Sequence, residues 1–325
     1  MRRHRTAAGI LLAVGALFTG GLVHAGAANA TTAPGPSAAA HTPSAAEQHK
    51  ARTFWTAERM RGATPLDLLL TRKAADKELK APRSSGRSTT VAPTPALASF
   101  PQAGAPWTGG GAVVATSGRV FFTFQGRTAS CTGNAVTSQN ASTVITAGHC
   151  VKYQGSWHTN WVFVPAYDNG NAPYGQWTAA KTLTTPQWEA SEDINYDVGA
   201  AVVAPLNGAT LTSVVGAQGI QFNGGYNKPM YAFGFPAASP YDGTKLIHCS
   251  GNSSKDFLFS QDHSLACNMT GGSSGGPWFT GFTEATGTGL QVSVNSFGYT
   301  FLPNRMFGPY FGDVVKALYD KAQVS

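Results

Sequence analysis

The sequence predicts an all-β domain closed by one C-terminal helix and preceded by roughly 105 residues of different character. Three observations carry this. Beyond Trp107, short β-branched or aromatic runs recur at regular intervals, cut by Gly, Pro and Asn, with no helical periodicity between them. After Asp313, the residues Val314, Val315, Leu318 and Ala322 fall at helical spacing. The residues before 105 hold no cysteine and are rich in Ala, Pro, Ser, Thr and charge.

The N-terminus sets the first boundary. A basic start (Arg2, Arg3, Arg5), an apolar run from Ile10 to Val23 and small residues ending in Ala28-Asn29-Ala30 describe a secretory signal peptide over 1–30. A membrane anchor is the competing reading, but a run of this length falls short of the about 20 residues needed to cross a hydrocarbon core. Residues 31–105 read as a propeptide with two helix starts. Ser44 with Glu47 forms one capping box, and Thr64-Pro65 with Asp67 is expected to form another. Leu66, Leu68, Leu69, Leu70 and Leu79 would supply the apolar face of the second helix. A permanent linker or stalk is the alternative to a removable segment. The remaining 106–325 form the folded domain.

Charge is distributed unevenly along these parts. The chain carries a formal net charge of +7, which alone would suggest nucleic acid or an anionic surface. Residues 1–30 contribute +3, residues 31–105 contribute +5, and the domain from 106 onward is −1. The basicity sits in the parts expected to be removed, so no nucleic-acid partner is expected. No membrane association is expected once the signal is cleaved.

All four cysteines, Cys131, Cys150, Cys249 and Cys267, lie in the domain. In an exported chain an even count suggests disulfides, and four cysteines allow three pairings. Their order favours Cys131 with Cys150 and Cys249 with Cys267, each pair falling within one candidate sub-domain. Loops of that length stabilise by about 3 kcal/mol in the chain-entropy view. The close spacing of a zinc ribbon is absent, so no metal is expected on these cysteines; no loop demands a structural calcium, and no cofactor is implied.

The candidate strands are Val120 to Phe124, Ser142 to Ala147, Trp161 to Tyr167, Val198 to Ala204, Met230 to Phe235, Lys245 to Cys249 and Leu290 to Tyr299. Trp157, Trp161 and Trp177 read as core or rim residues of such a β body.

Three short motifs stand out. Val144-Ile145-Thr146-Ala147-Gly148-His149-Cys150 delivers a histidine from a β run beside a cysteine. Asn195-Tyr196-Asp197 places an acid ahead of the apolar run Val198 to Val203. Gly271-Gly272-Ser273-Ser274-Gly275-Gly276-Pro277 frames a serine with glycines. A serine hydroxyl needs an adjacent base to act as a nucleophile. Imidazole can take that proton and return it to a leaving amine, and a buried carboxylate fixes the imidazole tautomer. A glycine-framed turn can aim the N–H groups of Gly272 and Ser274 at one point as an oxyanion hole. The Gly-x-Ser-x-Gly spacing also fits the nucleophile elbow of α/β-hydrolases. That fold orders its triad Ser, acid, His, whereas no histidine follows Ser274 here.

Together the three motifs resemble the signatures of the chymotrypsin/trypsin-like serine peptidases, especially their secreted bacterial branch. The resemblance spans about residues 107–325. It implies two perpendicular six-stranded antiparallel β-barrels with the active site between them, His149 and Asp197 coming from the first barrel and Ser274 from the second. It implies a monomeric extracellular endopeptidase acting on protein or peptide substrates through an acyl-enzyme, and a disulfide between Cys131 and Cys150. Where many animal members carry an aspartate that pairs with a new N-terminus, this chain has Ser273, so activation has to work otherwise. The expected device is the 31–105 segment, blocking the cleft or assisting folding and cut between Arg83 and Thr108.

The resemblance also places a substrate pocket. Its base, six residues before Ser274, falls on Asn268, and its wall on Asn295, Ser296 and Gly298. There is no acid at Asn268 for a basic side chain and no histidine at Asn295 for a glutamate, so a neutral side chain is expected. Asp193 is a rival to Asp197; Asp197 is preferred because it enters the apolar strand directly.

Overall fold

Strands form where the β-branched and aromatic runs can be buried on both sides. In Ser117–Phe124, the side chains of Val120, Phe122 and Phe124 point into one core while Phe121, between them, joins another. That strand pairs with Arg127–Ala135 along its whole length, from Ser117↔Asn134 to Phe124↔Arg127. The computed structural model describes residues 38–66, 69–70, 86–91 and 100–325. The expected signal peptide, Leu68 and Leu79 lie outside them.

The first barrel closes on itself. Thr143–Thr146 pairs with Arg127–Ala135, Gly199–Val203 with Thr143–Thr146, and Trp177–Thr184 with Gly199–Val203. Thr159–Pro165 then joins Trp177–Thr184 to Ser117–Phe124, completing six antiparallel strands. The second barrel is built from two sheets. In one, Pro229–Gly234 lies between Ile247–Asn252 and Pro277–Thr283, with Thr288–Val294 beyond. In the other, Leu302–Gly308 lies between His263–Ala266 and Phe297–Tyr299. Met230, Ala232, Leu265, Trp278 and the Cys249–Cys267 disulfide fill its core. The helix Asp313–Ala322 buries Val315, Leu318, Tyr319 and Ala322 against the first barrel.

Arg127–Ala135, Trp177–Thr184, His263–Ala266, Pro277–Thr283 and Leu302–Gly308 are strands that the hydrophobic pattern does not reveal. Arg127–Ala135 reads Arg-Thr-Ala-Ser-Cys-Thr-Gly-Asn-Ala. Its small polar residues are buried by strands on both sides, a tertiary cause that local propensity does not contain.

The segment before the domain divides into one expected and one unexpected part. Ala45–Phe54 is a helix with the predicted capping box: Glu47 N–H donates to Ser44 Oγ (3.3 Å) and Ser44 N–H donates to Glu47 Oε2 (2.7 Å). Trp55 and Met60 pack into a cluster with Phe121, Tyr167 and Phe235 of the domain. The second predicted helix start is corrected. Thr64–Pro65 is extended and pairs with Ala129–Ser130, and Leu69–Leu70 is extended and pairs with Gly298–Tyr299. Backbone groups left open on two domain strands outweigh a local capping preference. Asp67 lies outside the described residues.

Gln102–Pro106 is hydrogen-bonded along Ile247–Asn252, so Gln102–Ala105, on the removable side of the expected boundary, are strand residues of the second barrel's sheet. Among the described residues no helix is long and apolar enough to cross a membrane.

Candidate active site

Strand register brings the first two motifs together. Gly199 pairs with Thr146, so the residues just before one strand lie beside those just after the other. Thr143–Thr146 runs into a short 3-10 turn, Gly148–Cys150, and the disulfide Cys131–Cys150 anchors its end. Ile194–Tyr196 forms a matching turn, capped by Asp193 Oδ1, which accepts from Asn195 N–H (3.0 Å). Asp193 is thereby used as a cap, and Asp197 is the acid that faces His149.

Asp197 is fully buried and holds His149 at two points. His149 N–H donates to Oδ1 (2.7 Å), and the ring Nδ1–H donates to Oδ2 (2.7 Å). Ser296 Oγ donates to Oδ2 as well (2.6 Å). This arrangement selects the tautomer with the proton on Nδ1 and leaves Nε2 as an acceptor. Gly148 permits the close approach, since a Cβ there would lie 2.9 Å from Asp197 Oδ1 and 2.8 Å from Trp188 Cγ. Behind the ring, His158 Nε2–H donates to His149 O (2.8 Å) while its ring stacks on Phe122. Burial pushes the His158 pKa down to about 4.

Ser274 sits on a turn wired into both barrels. Thr132 N–H donates to Ser274 O (2.7 Å), and Thr132 Oγ1 donates to Gly272 O (2.9 Å). Cys150 Sγ lies 3.7 Å from Ser274 O, which places the serine beside the residue that follows His149. Gly275, at φ +81°, could not be exchanged, because a Cβ would meet Thr146 Oγ1 at 2.1 Å. The turn's own bonds run from Ser273 N–H to Thr270 O and from Gly276 N–H to Ser273 O. Among the described residues, Gly272 N–H and Ser274 N–H have no acceptor.

The Ser274 hydroxyl does not bond to His149. It donates instead to Leu66 O of the N-terminal segment (3.3 Å), and His149 Nε2 has no partner among the described residues. Two of the three motif residues are joined, and the third is turned toward a group that sequence inspection did not identify.

The expected pocket residues separate into two groups. Asn268, Ser296 and Gly298 line a cavity of about 230 Å³ next to Ser274. Asn268 Oδ1 accepts from the Tyr241 hydroxyl (2.6 Å) and its N–H donates to Ala103 O. Among the described residues no acid lines this cavity, and Arg305, the one charged residue among them that does, donates to Ser254 Oγ (3.1 Å). Asn295 is corrected: it lies fully buried behind the nucleophile turn. Its Nδ2 donates to Phe233 O and Ser273 O, and its Oδ1 accepts from Trp278 Nε1. It braces the turn and does not line the cavity. Its position in an apolar strand beside Ser296 gave no signal to separate the two roles.

The chain is 46% identical to protease Anisep from Arthrobacter nicotinovorans, with a TM-score of 0.62, over 65% of this chain and 96% of that one. It is likewise 41% identical to the thermostable serine protease AL20 from an extremophilic microorganism, with a TM-score of 0.62, over 66% of this chain and 99% of that one. The chain belongs to the bacterial chymotrypsin-fold serine peptidases. A Glu endopeptidase, 17% identical over 73% of this peptidase and 97% of its own length with a TM-score of 0.51, shares the fold. No family model matches the chain.

One curated relative carries a different name. An extracellular metalloprotease of Bacillus subtilis is 26% identical over 187 residues, 57% of this peptidase. This peptidase thus spans about half (56%) of that relative's length. A hydrolytic metal does not fit the donors of the described residues. Among the described residues, the one cluster of potential ligands is Cys131, His149 and Cys150, and both sulfurs are bonded to each other. A disulfide offers no thiolate to a metal.

Proposed function

We propose that this peptidase is a secreted serine endopeptidase, made as a precursor and working through His149, Asp197 and Ser274. The observation that carries the reading is the buried His149–Asp197 pair, which leaves Nε2 as an acceptor without a partner among the described residues, in the cleft that holds Ser274 and the N–H groups of Gly272 and Ser274. In the proposed reaction Ser274 Oγ bonds to the substrate carbonyl carbon as its proton passes to His149 Nε2. The carbonyl oxygen becomes an oxyanion facing Gly272 N–H and Ser274 N–H, each worth about 3–4 kcal/mol in the transition state. The C–N bond then breaks, the amine leaves with the proton from His149, and water hydrolyses the acyl-enzyme by the same steps in reverse.

Export supports the same reading, with 1–30 as signal, 31–105 as removable segment and 106–325 as peptidase domain. Two disulfides fit an oxidising compartment. The cavity beside Ser274, lined by Asn268 and by no acid among the described residues, fits a neutral side chain on the acyl side of the cut bond. The active protein is taken as a monomer acting on proteins or peptides.

A fluorophosphonate probe tests the chemistry. Active secreted protein is expected to label at one site, and Ser274→Ala is expected not to label. An unlabelled but folded parent, freed of its N-terminal segment, would reverse the reading in favour of a non-catalytic relative.

A further inference from the structure

The N-terminal segment crosses the cleft in a defined direction. Thr64 pairs with Ala129 and Pro65 with Ser130, parallel to that strand, and Leu66 N–H donates to Ser130 O (3.1 Å). Thr143–Thr146 covers the same strand only at Asn134 and Ala135, so the Ala129–Ser130 edge is open to a further strand. Leu69 and Leu70 then pair with Gly298 and Tyr299, again parallel. Between these contacts, Leu66 O accepts from Ser274 Oγ. From N to C, the segment passes from the barrel that holds His149 to the strand that walls the pocket.

A productive peptide has to run the other way. Its acyl half, which lies N-terminal to the cut bond, stays on Ser274 and places a side chain in the cavity lined by Asn268, Ser296 and Gly298. Its leaving amine, C-terminal to the cut bond, has to meet the proton on His149 Nε2, on the side of the Cys131–Cys150 disulfide. N to C, a substrate therefore passes from Phe297–Tyr299 toward Arg127–Ala135. The segment in the structure is inverted at both ends. With that polarity the nitrogen that follows a carbonyl is directed toward the pocket strand and away from His149, where a leaving amine has to be protonated.

We infer that Thr64–Leu66 and Leu69–Leu70 are the contacts of a built-in inhibitor of this cleft, held with inverted chain polarity, so that the enzyme does not cut the stretch that fills its own site. The inference rests on the serine-peptidase reading. It has two working parts. The strand pairings occupy the edges a substrate would use, and the Leu66 carbonyl takes the hydroxyl proton that would otherwise point to His149. Release then requires a cut elsewhere in the chain, after which the cleft strands dissociate as an intact piece.

The test uses the purified full chain. Fluorophosphonate labelling of the parent should be slow, and Leu66→Pro, which has no N–H for Ser130 O, should label at least about tenfold faster. Leu66→Ala, which keeps that N–H, should label like the parent. Mass spectrometry of the parent over the same period should find cuts outside Thr64–Leu70 only. Cuts within Thr64–Leu70 that disappear in Ser274→Ala would show substrate-like binding and overturn the inference without touching the peptidase reading. Equal labelling of the parent and a folded Leu66→Pro chain would overturn it as well. If neither folded chain labels even after limited proteolysis has removed the segment, the peptidase reading fails and the inhibitor fails with it.

Discussion

His149 and Ser274 reach the same cleft from different barrels and are held in opposite ways. The histidine is fixed by its own barrel: strand register sets it beside Asp197, a disulfide anchors the next residue, and Asp197 accepts three hydrogen bonds. The serine backbone is equally well fixed, through Thr132 and Asn295, but its hydroxyl is committed to Leu66. The difference teaches where a cleft of this kind can be controlled. A base built from buried strands is costly to disassemble, whereas one hydroxyl rotor and two open strand edges are cheap to occupy.

The sharpest way to break the fixed side is Asp197→Asn. The amide would present an N–H to His149 Nδ1 and favour the tautomer that carries its proton on Nε2, where no proton can then be accepted from Ser274. The activated enzyme is expected to lose about 10⁴-fold in kcat with little change in KM. A loss below tenfold in peptide hydrolysis would mean that Asp197 does not set the tautomer.

The same contrast explains what the sequence made legible. The His149 and Asp197 motifs are each followed or preceded by an apolar strand, so pairing those strands is enough to join the residues. The helix Asp313–Ala322 and the Ser44–Glu47 box are also local patterns with local causes. What was not legible depends on distant partners. Thr64-Pro65 carries a helix-start pattern, yet open backbone groups at Ala129 and Ser130 draw it into a strand. Asn295 and Ser296 are neighbours in sequence, but one braces the turn from behind and the other reaches Asp197. Leu66 as partner of Ser274 is separated from it by 208 residues, and no spacing rule connects them.

A smaller effect sharpens the fixed side. His158 supports the backbone of His149 from a buried position, with a folded pKa of about 4 against an ordinary 6.5. The unfolded chain therefore takes up this proton first as pH falls. The stability is fully present above about pH 6.5, is lost progressively down to about pH 4, and changes no further below that. The shift corresponds to about 3 kcal/mol. His263, whose burial pushes its pKa down to about 3, contributes a similar slope of its own. His158→Gln keeps an N–H for His149 O but does not titrate, so denaturation between pH 7 and pH 4 should show a flatter loss in the variant than in the parent. Identical slopes would place His158 in solvent contact.

The smallest expected effect lies at the far end of the N-terminal segment. Ser44 caps Ala45–Phe54 through exposed hydrogen bonds with Glu47, and that helix leads directly into Trp55, which packs on Phe121 and donates to Asn160 O (2.6 Å). Ser44→Ala leaves every cleft contact in place and removes only the cap, so local opening of Ala45–Phe54 should become easier by about 1 kcal/mol. The effect should appear in amide exchange as faster opening of Ala45–Phe54, with Thr143–Thr146 and Gly199–Val203 unchanged. If the barrel strands open faster too, the segment and the first barrel unfold as one unit, and the His149 side of the cleft draws on the segment as much as Ser274 does.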